Sequence, residues 1–534
     1  MKSIYTNGKI YVEEGHFEEA CVVEEGFFTY VGNNKEALQH SDALSKQYDL
    51  QGKTVVPGFN DAHLHFYMNA QALMSLDLSS ASSVEDVLAL AKQYLKEKPD
   101  TNMLIGRGYN QDYFTDEKRF LLAKDLDAIS TEIPILFYRA CGHVVSVNTK
   151  AMQLTNITSS SKIKGGLVHV HDDKPTGVLS ENARLLLDPL KQTISVKQVK
   201  EALTFVSEVA NAHGITSVAT NDLNVGSKDS DIIEKAYQQV AVENPTVRVY
   251  HQICFKDIHA FNQRIKQGYD RSTNAFNRYG PLKLFTDGSL GARTAFLKKP
   301  YHDDPSTKGI ATLTQEELNE YVITAHKNNI QVAAHAIGDG AMDLVLNSYE
   351  SLKTKNNDLR HGIIHCQITD EDILNRSKEC DIIAYVQPIF LHYDLHIVED
   401  RVGQSLAKTS YAFKSMDDLN MHVAYSSDAP IEPFNVMHGL HCAINNSDLN
   451  NTFKTGFNPN QKVNVYKAID HFTIDGAYAS FEENIKGRIK PGYYADFVVL
   501  NQDVFTVNPL HIKDIQVDMT FVNGQQVYKR QAKK

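Results

Sequence analysis

The chain has 534 residues, longer than one average domain, so two or three structural units are expected. It is 42% hydrophobic and 22% charged, enough for a full-sized core, and its net charge of −11 lacks the basic footprint of a nucleic-acid binder. The six cysteines form no Cys-x-x-Cys pair and read as free thiols, with Cys366 a small buried apolar residue. The start, Met1-Lys2-Ser3-Ile4-Tyr5-Thr6-Asn7-Gly8, has no apolar h-region, and no stretch has the apolar length to cross a bilayer. A cytoplasmic location is the default expectation.

In chain order, the first fifty-odd residues carry short β-rich runs, Lys9–Val12, Ala20–Val23 and Phe27–Gly32, broken by Gly and Asn. The C-terminus does the same with Ala495–Leu500 and Met519–Gly524, after a Lys490-Pro491-Gly492 turn. One small sheet domain built from both termini is expected, over 1–56 and 485–534. Between them, apolar runs recur at Thr54–Phe59, Ile215–Ala219, Val247–Ile253, Leu282–Phe285, Ile330–Ala334, Gly362–Ile364, Ile382–Val386 and Val423–Tyr425. Helical patterns such as Gln315–Asn328 and Asp339–Leu352 lie between several of them. Eight apolar runs alternating with helices predict an α/β protein with a parallel (β/α)8 TIM-like barrel over 57–484. The interval Asn69–His213 is too long for one crossover. It carries its own helical pattern (Ser83–Lys96) and strand-like runs (Met103–Gly106, Ile135–Tyr138), and predicts an insertion after barrel strand 1, at about 70–190.

The chemistry-bearing residues sit at strand ends. His63 and His65 are two apart, so in a strand both imidazoles share one face. In a parallel barrel that face opens at the C-terminal mouth, where active sites lie. His335 closes Gln331–Ala334, His365 closes His361–Ile364, and Asp428 closes His422–Ser427. Each of these residues alone reads as well as an ordinary core or surface group; together at matching positions they read as nitrogen and carboxylate ligands suited to zinc or a similar divalent ion. Lys283 lies inside an apolar run, and a buried ammonium is costly unless paired or coordinated. Two readings stay open: an ion pair with Asp287, or carbamylation, in which the neutral amine captures carbon dioxide and the carbamate bridges two metal ions. Arg293 reads as a clamp for a substrate carboxylate or as a structural ion pair. His143 reads as lining the pocket beside Asn148 or as making a structural hydrogen bond. Tyr109 reads as facing the substrate or as packing in the core.

Pro57-Gly58-Phe59-Asn60-Asp61-Ala62-His63-Leu64-His65 resembles the strand-one signature of the amidohydrolase superfamily. The segment from Lys283 to Ala295 resembles the branch called amidohydrolase family 3, which includes N-substituted formamide deformylases. His335-Ala336-Ile337-Gly338-Asp339, His365-Cys366-Gln367, Ser427-Asp428-Ala429-Pro430 and the segment Gly487–Asp496 match that branch in order. The resemblance implies a (β/α)8 barrel with a composite β-sandwich and one or two divalent metal ions. It places His63 and His65 on the first metal, Lys283 as the bridging carbamate, His335 and His365 on the second metal, and Asp428 as first-metal ligand and catalytic proton carrier. Asp339 reads instead as the cap of the next helix. The implied activity is hydrolysis of an amide or related C–N bond, of the N-acyl or N-formyl amine type. A deaminase, lactonase, phosphotriesterase or other ester hydrolase is the alternative on the same site; a non-enzymatic binder is disfavoured because every expected ligand position is filled. The expected partner is a small-molecule substrate, with neither nucleic acid nor membrane, and a homodimer stays open.

Overall fold

Both ends of the chain meet in one pair of sheets. The computed structural model describes residues 2–139, 144–163, 166–190 and 194–531. One sheet has four strands, in the order Phe27–Gly32, Ala20–Glu24, Lys2–Thr6, Lys46–Asp49. The other has six, in the order Gln525–Lys529, Val517–Val522, Phe497–Leu500, Thr54–Pro57, Lys9–Glu13, His16–Glu18. Their inner faces share one apolar core, in which Tyr5, Cys21 and Phe28 of the first sheet meet Val55, Phe497 and Phe521 of the second. The Phe497 and Phe521 rings stack at 4.3 Å and Tyr5 meets Phe497 edge-on at 5.1 Å. Such aromatic pairs add about 0.5–1.5 kcal/mol beyond the area they bury.

The middle of the chain forms an eight-stranded parallel sheet: β1 (Phe59–Leu64), β2 (Ile215–Val225), β3 (Arg248–Phe255), β4 (Asn277–Phe285), β5 (Val332–Ala336), β6 (Gly362–His365), β7 (Ile383–Val386) and β8 (His422–Tyr425). Neighbours in sequence are neighbours in the sheet. The seam between β1 and β8 is bridged by backbone bonds, Asp428 N–H to His63 O (2.9 Å) and His65 N–H to Ala429 O (2.8 Å). The sheet is therefore a nearly closed barrel, and the seam falls on three of the predicted site residues. Helices cover its outside. The helix expected over Gln315–Asn328 spans Gln315–Lys327 and starts in a capping box of Thr314 and Glu317.

Barrel strand 1 differs from its prediction. The apolar run Thr54–Phe59 splits, and Thr54–Pro57 joins the sandwich by pairing with Lys9–Ile10 and with Phe497–Val499. Gly58 is the crossing point: a Cβ there would stand 2.2 Å from Thr216 Oγ1. The barrel strand is the next segment, Phe59–Leu64, so His63 is within the strand rather than beyond it. An apolar run reports burial, not which of two buried sheets it enters.

Residues Met68–Gln198 form a second compact unit. It holds a six-stranded sheet and the helix Val84–Glu97, whose N-cap Ser83 accepts a hydrogen bond from Asp86 N–H. Among the described residues no helix is long and apolar enough to cross a membrane.

Candidate active site

Four imidazoles converge at the C-terminal mouth of the barrel, each fixed by an oxygen on its far side. His63 Nδ1 lies 2.5 Å from Gln252 Oε1 on β3. The Gln252 amide nitrogen donates to Ala62 O (3.1 Å), so its oxygen faces the ring and Nδ1 carries the proton. His65 Nδ1–H donates to the Asn221 carbonyl on β2 (2.9 Å). His365 Nδ1–H donates to Gln387 Oε1 (2.7 Å), whose own amide nitrogen is engaged by Tyr385 O and Ser426 Oγ. His335 Nε2–H donates to Gly288 O (3.1 Å), with Asp287 Oδ1 at 3.2 Å. With the outer nitrogen protonated, the inner nitrogen of each neutral ring presents a lone pair.

Those lone pairs face one another and a carboxylate. His63 Nε2 and His65 Nε2 lie 3.3 and 3.4 Å from Asp428 Oδ1. His365 Nε2 lies 2.9 Å from His335 Nδ1. Asp428 Oδ1 is itself buried with no hydrogen-bond partner. Ligand atoms of His63, His365 and Asp428 fall within 4.8 Å of one another. Buried acceptors that face one another are costly unless a donor or a cation stands between them. Burial disfavours charge on His65, yet the Asp428 carboxylate outweighs it and holds the His65 pKa above its ordinary value. Burial pushes His63 down to about 3, which keeps it neutral. This donor set fits a divalent cation.

The backbone pays for this geometry. His365 sits at φ +85° and Asp428 at φ +58°, a region rarely used by residues other than glycine. Such strain persists where the surroundings over-determine it, often at functional sites. Asp61 helps to over-determine Asp428: its carboxylate accepts from Ser427 N–H (3.1 Å) and Ser427 O–H (2.6 Å) across the seam. Burial pushes Asp61 up to about 7.

Lys283 on β4 is buried, with Nζ 3.4 Å from His63 Nε2. Desolvation pushes its ammonium down to about 8, so about a tenth is free amine at pH 7, far more than for an ordinary lysine. An ion pair with Asp287 is not what the structure contains: Asp287 instead accepts from Phe296, Ile337 and Gly338 N–H at 2.8–3.1 Å. Strand alternation alone would put Asp287 on the same face as Lys283, but β4 ends at Phe285 and the chain has already turned into the following loop.

Other sequence-predicted roles are corrected. Arg293 forms the structural ion pair: its fork holds Asp303 at 3.1 and 2.8 Å, and Arg401 shares that carboxylate. Its Nε–Nη2 edge is therefore committed to Asp303. Asp339 is not the cap; Gly338 takes the N-cap position and Asp339 Oδ1 accepts from Lys298 N–H (2.9 Å). Tyr109 is fully buried in the core of the Met68–Gln198 unit, its hydroxyl on Ser146 Oγ (2.9 Å). Asn148 caps the helix Thr149–Leu154 through Ala151 N–H. His143 lies outside the described residues. Sequence reasoning missed Gln252, Asn221 and Gln387. Gln387 ends the apolar run of β7 just as His335 ends that of β5, so the same strand-end rule flags it.

The fold and site define a barrel hydrolase with a candidate metal centre at its mouth. The chain belongs to the amidohydrolase family, whose profile matches residues 46–528. It is 32% identical to YtcJ of Bacillus subtilis (strain 168), an amidohydrolase by name, over 99% of this chain and 100% of that one. It is 25% identical to the N-substituted formamide deformylase of Arthrobacter pascens, over 96% of this chain and 95% of that one. A crystal structure of a metal-dependent hydrolase from Pyrococcus horikoshii superposes with a TM-score of 0.80 at 27% identity, over 96% of this chain and 99% of that one.

Proposed function

We propose that this hydrolase cleaves an amide or related C–N bond, of the N-acyl or N-formyl amine type, with one or two divalent ions, best suited to zinc. The observation that carries the reading is the set of four imidazoles, each locked by an outer oxygen so that its inner nitrogen faces Asp428 or a neighbouring ring. His63, His65 and Asp428 would hold the first ion, and His335 and His365 the second. Lys283 would bridge them as a carbamate, formed when its free amine adds to carbon dioxide and releases a proton. A bound divalent ion supplies acidified water and a polarised carbonyl, since it lowers the pKa of water from about 15.7 to roughly 7.

The protein's own groups do the rest. Asp428 takes the proton of the attacking water and delivers it to the leaving nitrogen, which must depart as an amine. Its strained backbone and the Ser427–Asp61 contact keep that carboxylate aimed at the centre. Gln252, Asn221 and Gln387 fix the imidazole tautomers, which keeps the ligand nitrogens unprotonated. The Bacillus and Arthrobacter relatives support the C–N reading by their names.

The test pairs elemental analysis of the purified protein with mass spectrometry of products from N-acyl and N-formyl amines. Amine plus acid, with metal in the protein, is expected. Ammonia as product, or turnover of lactones alone, would overturn the reaction assigned. An intact mass of the Lys283 peptide, taken without acid, should carry the increment of one carbon dioxide.

A further inference from the structure

A cavity of about 430 Å3 opens beside the centre, entirely within the barrel unit. Its origin is a parting of two strands. β3 and β4 pair as far as Ile253 and Leu282 and no further, while β3 stays with β2 out to Phe255 and β4 stays with β5 out to Phe285. The gap has Lys283 and Asn221 at its inner end. Lys283 Nζ is the atom 3.4 Å from His63 Nε2, and Asn221 is the residue that orients His65. Away from that end the wall is mostly apolar, formed by Leu223, Phe255, Leu284 and Phe285, with Leu313 and Tyr321 lining it too, while Asn224, Cys254 and the exposed Lys256 add polar groups. Asp222 also lines it, but its carboxylate is held by the hydroxyls of Thr220 and Tyr237 at 2.6 Å. A small-molecule site typically spans about 300–1,000 Å3, mostly apolar, with a few convergent polar groups.

We infer that this cavity receives the apolar group of the scissile amide, so that the protein selects substrates with a medium-length alkyl or aryl substituent next to the bond it cleaves. The inference rests on the C–N hydrolase reading above. The chemistry fits because a group entering from the centre meets mostly hydrocarbon, no carboxylate is free to solvate a cation, and the Lys256 ammonium that also lines the cavity is exposed to solvent. An apolar substituent gains the transfer free energy of its methylenes, and a methyl group does not reach the wall.

Two isomers distinguish which side of the amide enters: N-hexylformamide carries the chain on nitrogen, and N-methylhexanamide carries it on the carbonyl. N-methylformamide is the small reference. One of the isomers should exceed the reference in kcat/KM by about tenfold or more, the range a hydrophobic pocket gives. Leu313→Trp, which narrows the outer cavity, should cut kcat/KM for the favoured isomer far more than for the reference. Leu313→Ala, which enlarges it, should move the preferred chain length upward. Equal turnover of all three amides, or an equal fall for all three in Leu313→Trp, overturns the inference. The chain has no tryptophan, so Tyr321→Trp supplies a single fluorophore in the cavity wall. Its emission should shift saturably with a hexyl amide and not with N-methylformamide, whether or not either is cleaved. A shift without any amide cleavage sinks the reaction assigned and keeps the cavity; cleavage without a shift or size preference does the reverse.

Discussion

The two ends of the barrel treat buried polar groups in opposite ways. At the N-terminal end, buried charges meet opposite charges. Arg248, the first residue of β3, holds Asp496 of the sandwich at 2.7 Å, with side chains only 2% and 6% exposed. Lys486 meets Glu482 and Ser217 at 2.6 Å each, and Arg278 meets Glu482 at 3.0 Å. Gln331 at the foot of β5 donates to Ala479 O (3.2 Å). At the C-terminal mouth four imidazoles and Asp428 Oδ1 turn inward on one another, with the Lys283 amine beside His63 as the one cationic side chain described there. One end is arranged for stability by itself; the other gathers a donor set that could hold a metal ion. The contrast matches the division of labour in barrel enzymes, where the bottom holds the fold and the top does the chemistry.

The sharpest way to break this comparison is at the mouth. Asp428→Asn should lower turnover by about 10²–10⁴-fold, the usual worth of a positioned proton carrier, while the thermal midpoint holds. A variant turning over at the parental rate would remove Asp428 from the mechanism. The matching change at the other end is Asp496→Ala, which leaves Arg248 buried and unpaired. It should cost about 3–5 kcal/mol of stability in a urea titration, with turnover of the folded fraction unchanged. If it instead lowered turnover and not stability, the assignment of roles to the two ends would fail.

A subtler change tests whether the mouth depends on its outer oxygens. Gln252→Leu frees His63 to protonate the wrong nitrogen, and should weaken metal affinity by about 10–100-fold in a chelator competition, with activity recovered in excess metal. Unaltered affinity would mean that the tautomer is set by something else.

The smallest effect concerns pH. His471 is buried between Asp417 (2.9 Å) and Asp475 (2.6 Å). Burial opposes its charge, but the two carboxylates win and raise it from 6.5 to about 9. A pKa raised on folding stabilises fully below the unfolded value and is lost as pH rises through the folded one. Stability should therefore decline between pH 6.5 and about 9, and His471→Gln should flatten that decline in urea titrations across the range. An identical slope in the variant would show that the ion triad does not set it.

The candidate site residues were legible for a simple reason: His335, His365 and Asp428 each end an apolar run, and a polar residue there has few structural uses. The barrel followed from apolar runs alternating with helical ones, since burial on both faces erases strand alternation. The same cause hid the first strand. Thr54–Pro57 and Phe59–Leu64 are both buried, and hydrophobicity does not say that they enter different sheets. Gln252 and Asn221 were not legible, because an amide in a strand gives no hint of which ring it will meet from another strand. Arg293 and Asp303 are ten residues apart in a loop, and only the loop's path brings them together.

By itself, then, the sequence determined the family, the barrel and the residue types that line its mouth, because these rest on local pattern and residue chemistry. The tertiary structure alone decided what the Asp61–His65 segment is: one lip of the barrel seam, with Asp61 bonded to Ser427 and the His63 carbonyl taking the Asp428 amide proton. It also decided which nitrogen of each ring faces inward, that Lys283 goes without Asp287, and that β3 parts from β4 beside the centre. The physical reason is common to all of these. Each depends on where an oxygen, an amide or a strand end from a distant part of the chain comes to rest, and no local pattern carries that distance.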